Sequence, residues 1–485
     1  MSQKPATKHA IPQASGLCTL SAVELARGIT RREFSSREVV GAFLDRIEAV
    51  NPKVNAIVSL RPREDILREA ALADAEQKDG KARGPLHGLP IAIKDLARTK
   101  GLTTTFGYRG FADWMPDEDD IAVERIRAAG AIIIGKTNTP EFGLGSQTHN
   151  EVFGATVNAF DPALTSGGSS GGAAVAVALN MLPLADGSDF GGSLRNPAAY
   201  NNIYGFRLSQ GLVPGGPRVE TFFAQMGTEG PMGRKVADLA LLLDVLAGYD
   251  PRSPLSHGGE GRYLAGLTAS PPAGGRIAWL GDLGGHVPME AGILDLCETA
   301  LGRFGELAVA VEPIVPAFDF EALWRAFVTL RQATSALGLK VHYDDPAKRA
   351  LLKPEAIWEI ESGLRLMAVD VYNASVVRTS WHRTVLGLFA RYDFLALPTA
   401  QVFPFDIKTH WPREVGGRAM DSYHRWMEVV IGATMAGCPV INLPAGFDDR
   451  GRPMGLQLIG RPRHDLAVLQ AAAAYEAICP WPAGA

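Results

Sequence analysis

Apolar positions recur along this chain with two periods, one helical and one strand-like, and their alternation sketches an α/β protein. From Ser35 the stretch S-S-R-E offers a capping box, with Glu38 three residues after Ser35. Val39, Val40, Phe43, Leu44 and Ile47 follow at helical spacing, and Asn51-Pro52 is expected to stop that helix. A second helix is predicted over 64–77, rich in Ala, Leu and Glu. Residues 89–94 (LPIAIK) then read as a short buried strand. Helical spacing over 119–129 leads into another strand, 131–135 (AIIIG). Residues 160–172 are dense in Gly and Ser, and 173–179 reads as a helix of small residues. VADLALLLDVLAGY, from Val236, is a strong helix. Strand 276–281, helix 288–305 and strand 307–311 make a β-α-β unit. Residues 317–380 are mostly helical, and 392–397 and 440–443 read as later strands. Two stretches break the pattern: a polar lead-in over 1–17 and a Pro/Gly/Ser-rich surface excursion over 251–275.

Composition changes this picture little. At about 150 residues per domain, 485 residues suggest three domains. The absence of repeats and the continuous α/β pattern favour one large domain instead. Hydrophobic residues make up 46% and charged residues 21%, which excludes a disordered chain. Forty-eight Lys and Arg against fifty-two Asp and Glu give a net charge of −4, with no basic stripe of the kind that nucleic-acid binders carry. Four cysteines without C-x-x-C spacing argue against a disulfide framework and a structural zinc site. No metal or other cofactor is expected. The first residues lack an apolar core of the secretory kind, and no uncharged apolar run reaches the roughly 18 residues of a membrane span. A cytoplasmic protein without membrane or nucleic-acid partners is the expectation.

Two motifs mislead. Gly130 to Thr137 matches G-x-x-x-x-G-K-T, the pattern of a phosphate-binding loop. Its four intervening residues are Ala131 and three isoleucines, which want a buried strand and cannot turn successive amides toward one phosphate. Gly167-Gly168-Ser169-Ser170-Gly171 matches the G-x-S-x-G elbow of α/β-hydrolases. That elbow needs an apolar strand running into the serine, and the preceding segment contains Asp161-Pro162 instead. The ten histidines are scattered, and a lone one such as His382 is a weak candidate base. A Ser-His-Asp triad stays as an alternative.

A third constellation fits better. Three segments stand in order: Gly88-Leu-Pro-Ile-Ala-Ile-Lys94-Asp95, Thr165-Ser-Gly-Gly-Ser169-Ser170-Gly-Gly172, and Gly187-Ser-Asp189-Phe-Gly-Gly-Ser193-Leu-Arg195-Asn-Pro197. Together they resemble the amidase signature family. Gly135-Lys-Thr-Asn138 and Pro453-Met-Gly-Leu-Gln-Leu-Ile-Gly-Arg-Pro462 extend the likeness from about residue 20 to about 475. The resemblance implies one α/β/α domain over 1–485 with a mixed central sheet. The signature core would cover about 64–245, and a divergent substrate-pocket region about 315–425. It also implies a Ser–cis-Ser–Lys triad: Ser193 as nucleophile, Ser169 as proton relay after a cis peptide, and Lys94 as general base.

The chemistry suits these residues. A serine hydroxyl is a weak nucleophile until something takes its proton. Lysine does so only when neutral, so its pKa must fall well below about 10.4, and desolvation is the lever. Phe190, Gly191 and Gly192 precede Ser193 and offer successive amides for a developing oxyanion, and Ser170 joins them on the substrate side. Phe190 stands where many family members carry a smaller residue, so its ring narrows or lines the acyl pocket. Asp189 and Arg195 read as supporting polar residues. Trp324, Phe327, Trp358, Trp426 and Met427 are candidates for the pocket wall, with core packing the stronger account of each. The resemblance thus implies hydrolysis of a small-molecule amide, anilide or carbamate through an acyl-enzyme. The alternative inside the family is the glutamine-hydrolysing subunit of a tRNA-dependent amidotransferase. A homodimer is compatible with the sequence, and the oligomeric state stays open.

Overall fold

The computed structural model describes residues 11–267 and 275–480. The parts of the lead-in and of the 251–275 excursion beyond those bounds lie outside the described residues. Eleven strands carry the architecture. In chain order they are β1 (Ile57–Val58), β2 (Pro90–Lys94), β3 (Ile132–Thr137), β4 (Leu184–Asp189), β5 (Tyr204–Arg207) and β6 (Thr228–Gly233). Then follow β7 (Arg276–Trp279), β8 (Ala310–Pro313), β9 (Phe394–Pro398), β10 (Val440–Phe447) and β11 (Pro453–Ile459).

Strands β2 and β3 are buried at every position, as apolar runs covered on both faces should be. They pair in parallel, with β1 antiparallel on the other side of β3. The phosphate-loop pattern is therefore a core strand. Lys136, at its end, is fully buried and donates to the Ala97 carbonyl at 2.5 Å and to Thr99 Oγ1 at 2.9 Å. The other eight strands form one mixed sheet in the order β8-β7-β9-β11-β10-β5-β6-β4. Asp186, in β4 at the edge of that sheet, accepts the Lys94 amide N–H at 3.0 Å, so β2 lies alongside β4.

Helices cover the sheets on both faces, giving the α/β layers expected. The small-residue helix runs Gly171–Ala178 and is wholly buried. A Cβ on Gly172 would sit 2.3 Å from the Asn138 nitrogen, so only glycine lets this helix start so close to the end of β3. The capping box at Ser35 and Glu38 is present, but its helix runs Ser36–Val54, through Pro52. The proline falls in the last turn, and the Asn51 carboxamide accepts the N–H groups of Ala56 and Ile57 just beyond it, at 2.9 and 2.8 Å. The helix expected over 288–305 is Ile293–Gly302, tightening to a 3₁₀ segment over Arg303–Leu307, so β8 starts at Ala310 rather than at residue 307. Region 317–380 holds four helices: Phe320–Tyr343, Pro346–Arg349, Pro354–Gly363 and Ala368–Phe389. All four cysteines are free, and no helix of the described residues is long and apolar enough to cross a membrane.

Candidate active site

Three glycine-bordered segments meet at the edge where β2 and β4 lie side by side. Lys94 is the last residue of β2, 1% exposed, and the strand aims its amine at the start of the helix Gly171–Ala178. Lys94 Nζ lies 2.8 Å from Ser169 Oγ, 2.7 Å from Ser170 Oγ, 3.0 Å from Ser188 Oγ and 3.3 Å from the Ser188 carbonyl. Four oxygens around one nitrogen exceed the three N–H donors of an ammonium, and a neutral amine accepts from one of the hydroxyls. Burial pulls the Lys94 amine down to about 7, against the opposing pull of Asp186, Asp189 and Glu229. The peptide bond between Gly168 and Ser169 is cis, as the resemblance implies.

Ser193 follows β4 in a turn that Asp189 pins from beneath. The Asp189 carboxylate accepts the N–H groups of Gly192 at 2.9 Å and Leu194 at 3.1 Å. It also accepts from Arg195 Nε at 2.9 Å and Nη2 at 3.0 Å, and from Arg207 Nη1 at 3.3 Å. Burial pushes its carboxyl upward, but the two guanidinium groups outweigh burial and hold it well below the usual range. Gly192 sits at φ +100° with Asn196 Oδ1 2.2 Å from where a Cβ would be, so the turn admits only glycine there. The Ser193 carbonyl accepts the Ser170 N–H at 3.2 Å, tying the two serine segments together.

Lys94, Ser169 and Ser193 border one cavity of about 450 Å³. That is small-molecule size. Phe106, Phe142 and Phe190 supply apolar wall, and Arg218, Glu229 and Arg331 are among its charged residues. Burial raises the carboxyls of Asp186 and Glu229 to about 6 and about 7. No histidine borders the cavity among the described residues, which leaves the Ser-His-Asp alternative without a base. Nor do three His, Cys, Asp or Glu side chains converge anywhere among the described residues to hold a metal.

The substrate-side expectations divide. Phe190 lines the cavity, with its ring 6.0 Å from that of Phe327. Gly191 stands beside it, and the N–H groups of Phe190, Gly191 and Ser193 have no acceptor among the described residues. Gly192 and Ser170 need correction. The Gly192 amide is committed to Asp189, and Ser170 is fully buried behind Lys94, away from the cavity wall. Trp324, Phe327, Trp426 and Met427 are packed in the core, and Trp358 lies edge-on to Tyr423 and His424. None of the five borders the cavity. From 315–425 the wall takes Arg331, Ser335, Gly338 and Leu339 instead. These, with Phe106, Phe142, Arg218 and Glu229, escape a reading of the sequence because each lies outside the three motif segments.

Comparison with known proteins places the whole chain among amidases. The family model described as Amidase matches residues 38–469. An acylamidase of Rhodococcus erythropolis is 36% identical over 467 residues, covering 95% of this chain and 96% of its own. A glutamyl-tRNA(Gln) amidotransferase subunit of Moorella thermoacetica is 35% identical over 479 residues, covering 94% and 96%. Among solved structures, a bacterial aryl acylamidase of the amidase signature family superposes with a TM-score of 0.90 at 29% identity, over 96% of this chain and 98% of that one. With the fold, the three segments and these relatives in agreement, the chain belongs to the amidase signature family and is an amide hydrolase.

Proposed function

We propose that this hydrolase cleaves linear amides, anilides foremost, through a seryl acyl-enzyme formed on Ser193. The observation that carries the reading is a buried lysine amine near pKa 7, set 2.8 Å from the Ser169 hydroxyl in the same cavity as Ser193. Ser193 Oγ attacks the carbonyl carbon while its proton passes through Ser169 to Lys94 Nζ. The oxyanion forms against the open N–H groups of Phe190 and Gly191. The C–N bond then breaks, the proton returns to the departing amine, and water attacks the ester to release a carboxylic acid. Anilides are favoured because three phenylalanines flank the cavity and because relatives carry the names acylamidase and aryl acylamidase. Carbamates present the same carbonyl to the same groups and extend the reading.

A fluorophosphonate that traps serine nucleophiles tests this assignment. Mass spectrometry should find the adduct on Ser193, and Ser193→Ala should abolish labelling with the fold retained by circular dichroism. An adduct on Ser169 would overturn the assignment. The likeness to amidotransferase subunits supports a second reading, in which glutamine is the amide. Ammonia released from glutamine, with anilides left intact, would select it.

A further inference from the structure

The helix Phe320–Tyr343 presents Arg331, Ser335, Gly338 and Leu339 to the cavity, the i, i+4, i+7, i+8 spacing of one helical face. Arg331 is the charged member, and its side chain is 9% exposed. On its far side, Arg331 Nε donates to Glu359 Oε1 at 2.6 Å and Nη2 donates to Tyr423 Oη at 2.9 Å. Tyr423 donates in turn to the same Glu359 oxygen at 2.6 Å. Neither Glu359 nor Tyr423 borders this cavity. Nη1 has no partner among the described residues, so the edge of the guanidinium left open is the one on the cavity side. Nη1 is not among the side-chain nitrogens shut off from solvent, so a substrate acceptor in the cavity can reach it.

The position and the charge of this group narrow the acceptor. The guanidinium carbon lies 5.3 Å from the centre of the Phe190 ring, and Phe190 is three residues from Ser193. Three residues span at most about 10 Å, so the open donors stand within one small substrate's length of the reacting serine. Glu359 is wholly buried and already balances the guanidinium. A substrate carboxylate would need a further cation, and the other guanidinium on the cavity, Arg218, already faces Glu229 at 3.7 Å. A neutral carbonyl oxygen fills the open donors and adds none.

We propose that Arg331 is a specificity-determining residue that receives a second, neutral carbonyl of the substrate. The preferred substrates are then amides that carry a further amide or ester beyond the scissile one. The proposal rests on the anilide reading above, and the experiment separates the two. Three anilides matched in length are compared, with acyl chains bearing a tertiary amide, a methylene isostere or a carboxylate. In the wild type, kcat/KM for the amide-bearing anilide should exceed that for the isostere at least about tenfold. Arg331→Met should lower the amide-bearing substrate at least about tenfold more than the isostere, whereas a merely structural role would lower both alike. An unchanged ratio in Arg331→Met, or a wild-type preference for the carboxylate, overturns the proposal. Calorimetric binding of the three compounds to Ser193→Ala gives a readout that needs neither turnover nor a folded Arg331 variant. The same order of affinity is expected there, and equal affinities overturn the proposal. Should the wild type cleave none of the three, the anilide reading fails while the calorimetry still decides Arg331.

Discussion

Lys94 and Lys136 end neighbouring parallel strands and invite comparison. Lys94 pairs with Thr137 across the ladder, and Lys136 pairs with Ile93, so the two amines leave the same sheet one step apart. Both side chains are buried, and burial lowers both, to about 7 for Lys94 and about 8 for Lys136. Their surroundings differ. Lys136 is closed in by the Ala97 carbonyl and Thr99, with the buried Asp95 carboxylate drawing its charge. Lys94 faces three serine hydroxyls and a cavity. Desolvation alone makes a lysine able to lose its proton. A hydroxyl from which the neutral amine can take a proton, and room for a substrate beyond it, make the lysine useful.

The two lysines should differ most when each is replaced, and Lys94 carries the larger effect. Lys94→Ala should lower kcat/KM by several orders of magnitude with the fold retained, and Lys94→Arg should be as damaging, since a guanidinium stays protonated at every working pH. Substantial activity in a folded Arg variant, assayed as amine release, would reduce Lys94 to an electrostatic prop. Next in size is the pH dependence of the wild type. If Lys94 is the base, its neutral amine is the active form, so kcat/KM should fall about tenfold per pH unit below about 7 and level off above it. A limb rising toward pH 10 instead would mean that burial does not tune this base. A smaller effect is expected at the second lysine. Lys136→Met should leave that limb in place and change kcat/KM by less than about threefold, while lowering the melting temperature because buried Asp95 loses its counter-charge. A shifted limb in that variant would show that the two amines titrate together. Prolonged EDTA treatment should change the rate least of all, and loss of activity restored by zinc would point to Lewis-acid chemistry.

The sequence discloses this molecule unevenly, for physical reasons. LPIAIK and AIIIG are legible as strands because buried parallel strands are continuous apolar runs. The same rule strips the phosphate-loop pattern of its apparent meaning. Thr228–Gly233, a strand paired on both sides next to the sheet edge, reads TEGPMG and hides behind residues that ordinarily mark turns. Its Gly230 is needed because a Cβ there would meet the Phe206 carbonyl at 2.3 Å, a contact that exists only in the assembled sheet. The site shows the same division. Lys94, Ser169 and Ser193 are legible because each sits in a dense local pattern of glycine and serine. Arg331 stands alone in an amphipathic helix, and nothing in its neighbourhood along the chain marks its meeting with Glu359, Tyr423 and Phe190. Ser170 is easily misplaced because adjacency in sequence suggests a shared role. The residue after Ser169 opens a helix, however, and its side chain turns inward beneath the lysine.

The Asp189 hub has a consequence for how this enzyme meets acid. A carboxyl whose pKa is depressed in the folded state adds stability above its unfolded value, and that stability is lost only as pH falls through the folded one. With Arg195 and Arg207 holding Asp189 far down, the turn that carries Ser193 stays pinned through mild acid. Lys94 gives up its lone pair much sooner, near pH 7. With Lys94 as the base, the protein between about pH 4 and 6 should rest assembled and run at about a tenth to a thousandth of its full rate. Acidity there works as a dimmer, and neutralisation brings the full rate back at the speed of a proton transfer, with no refolding in between.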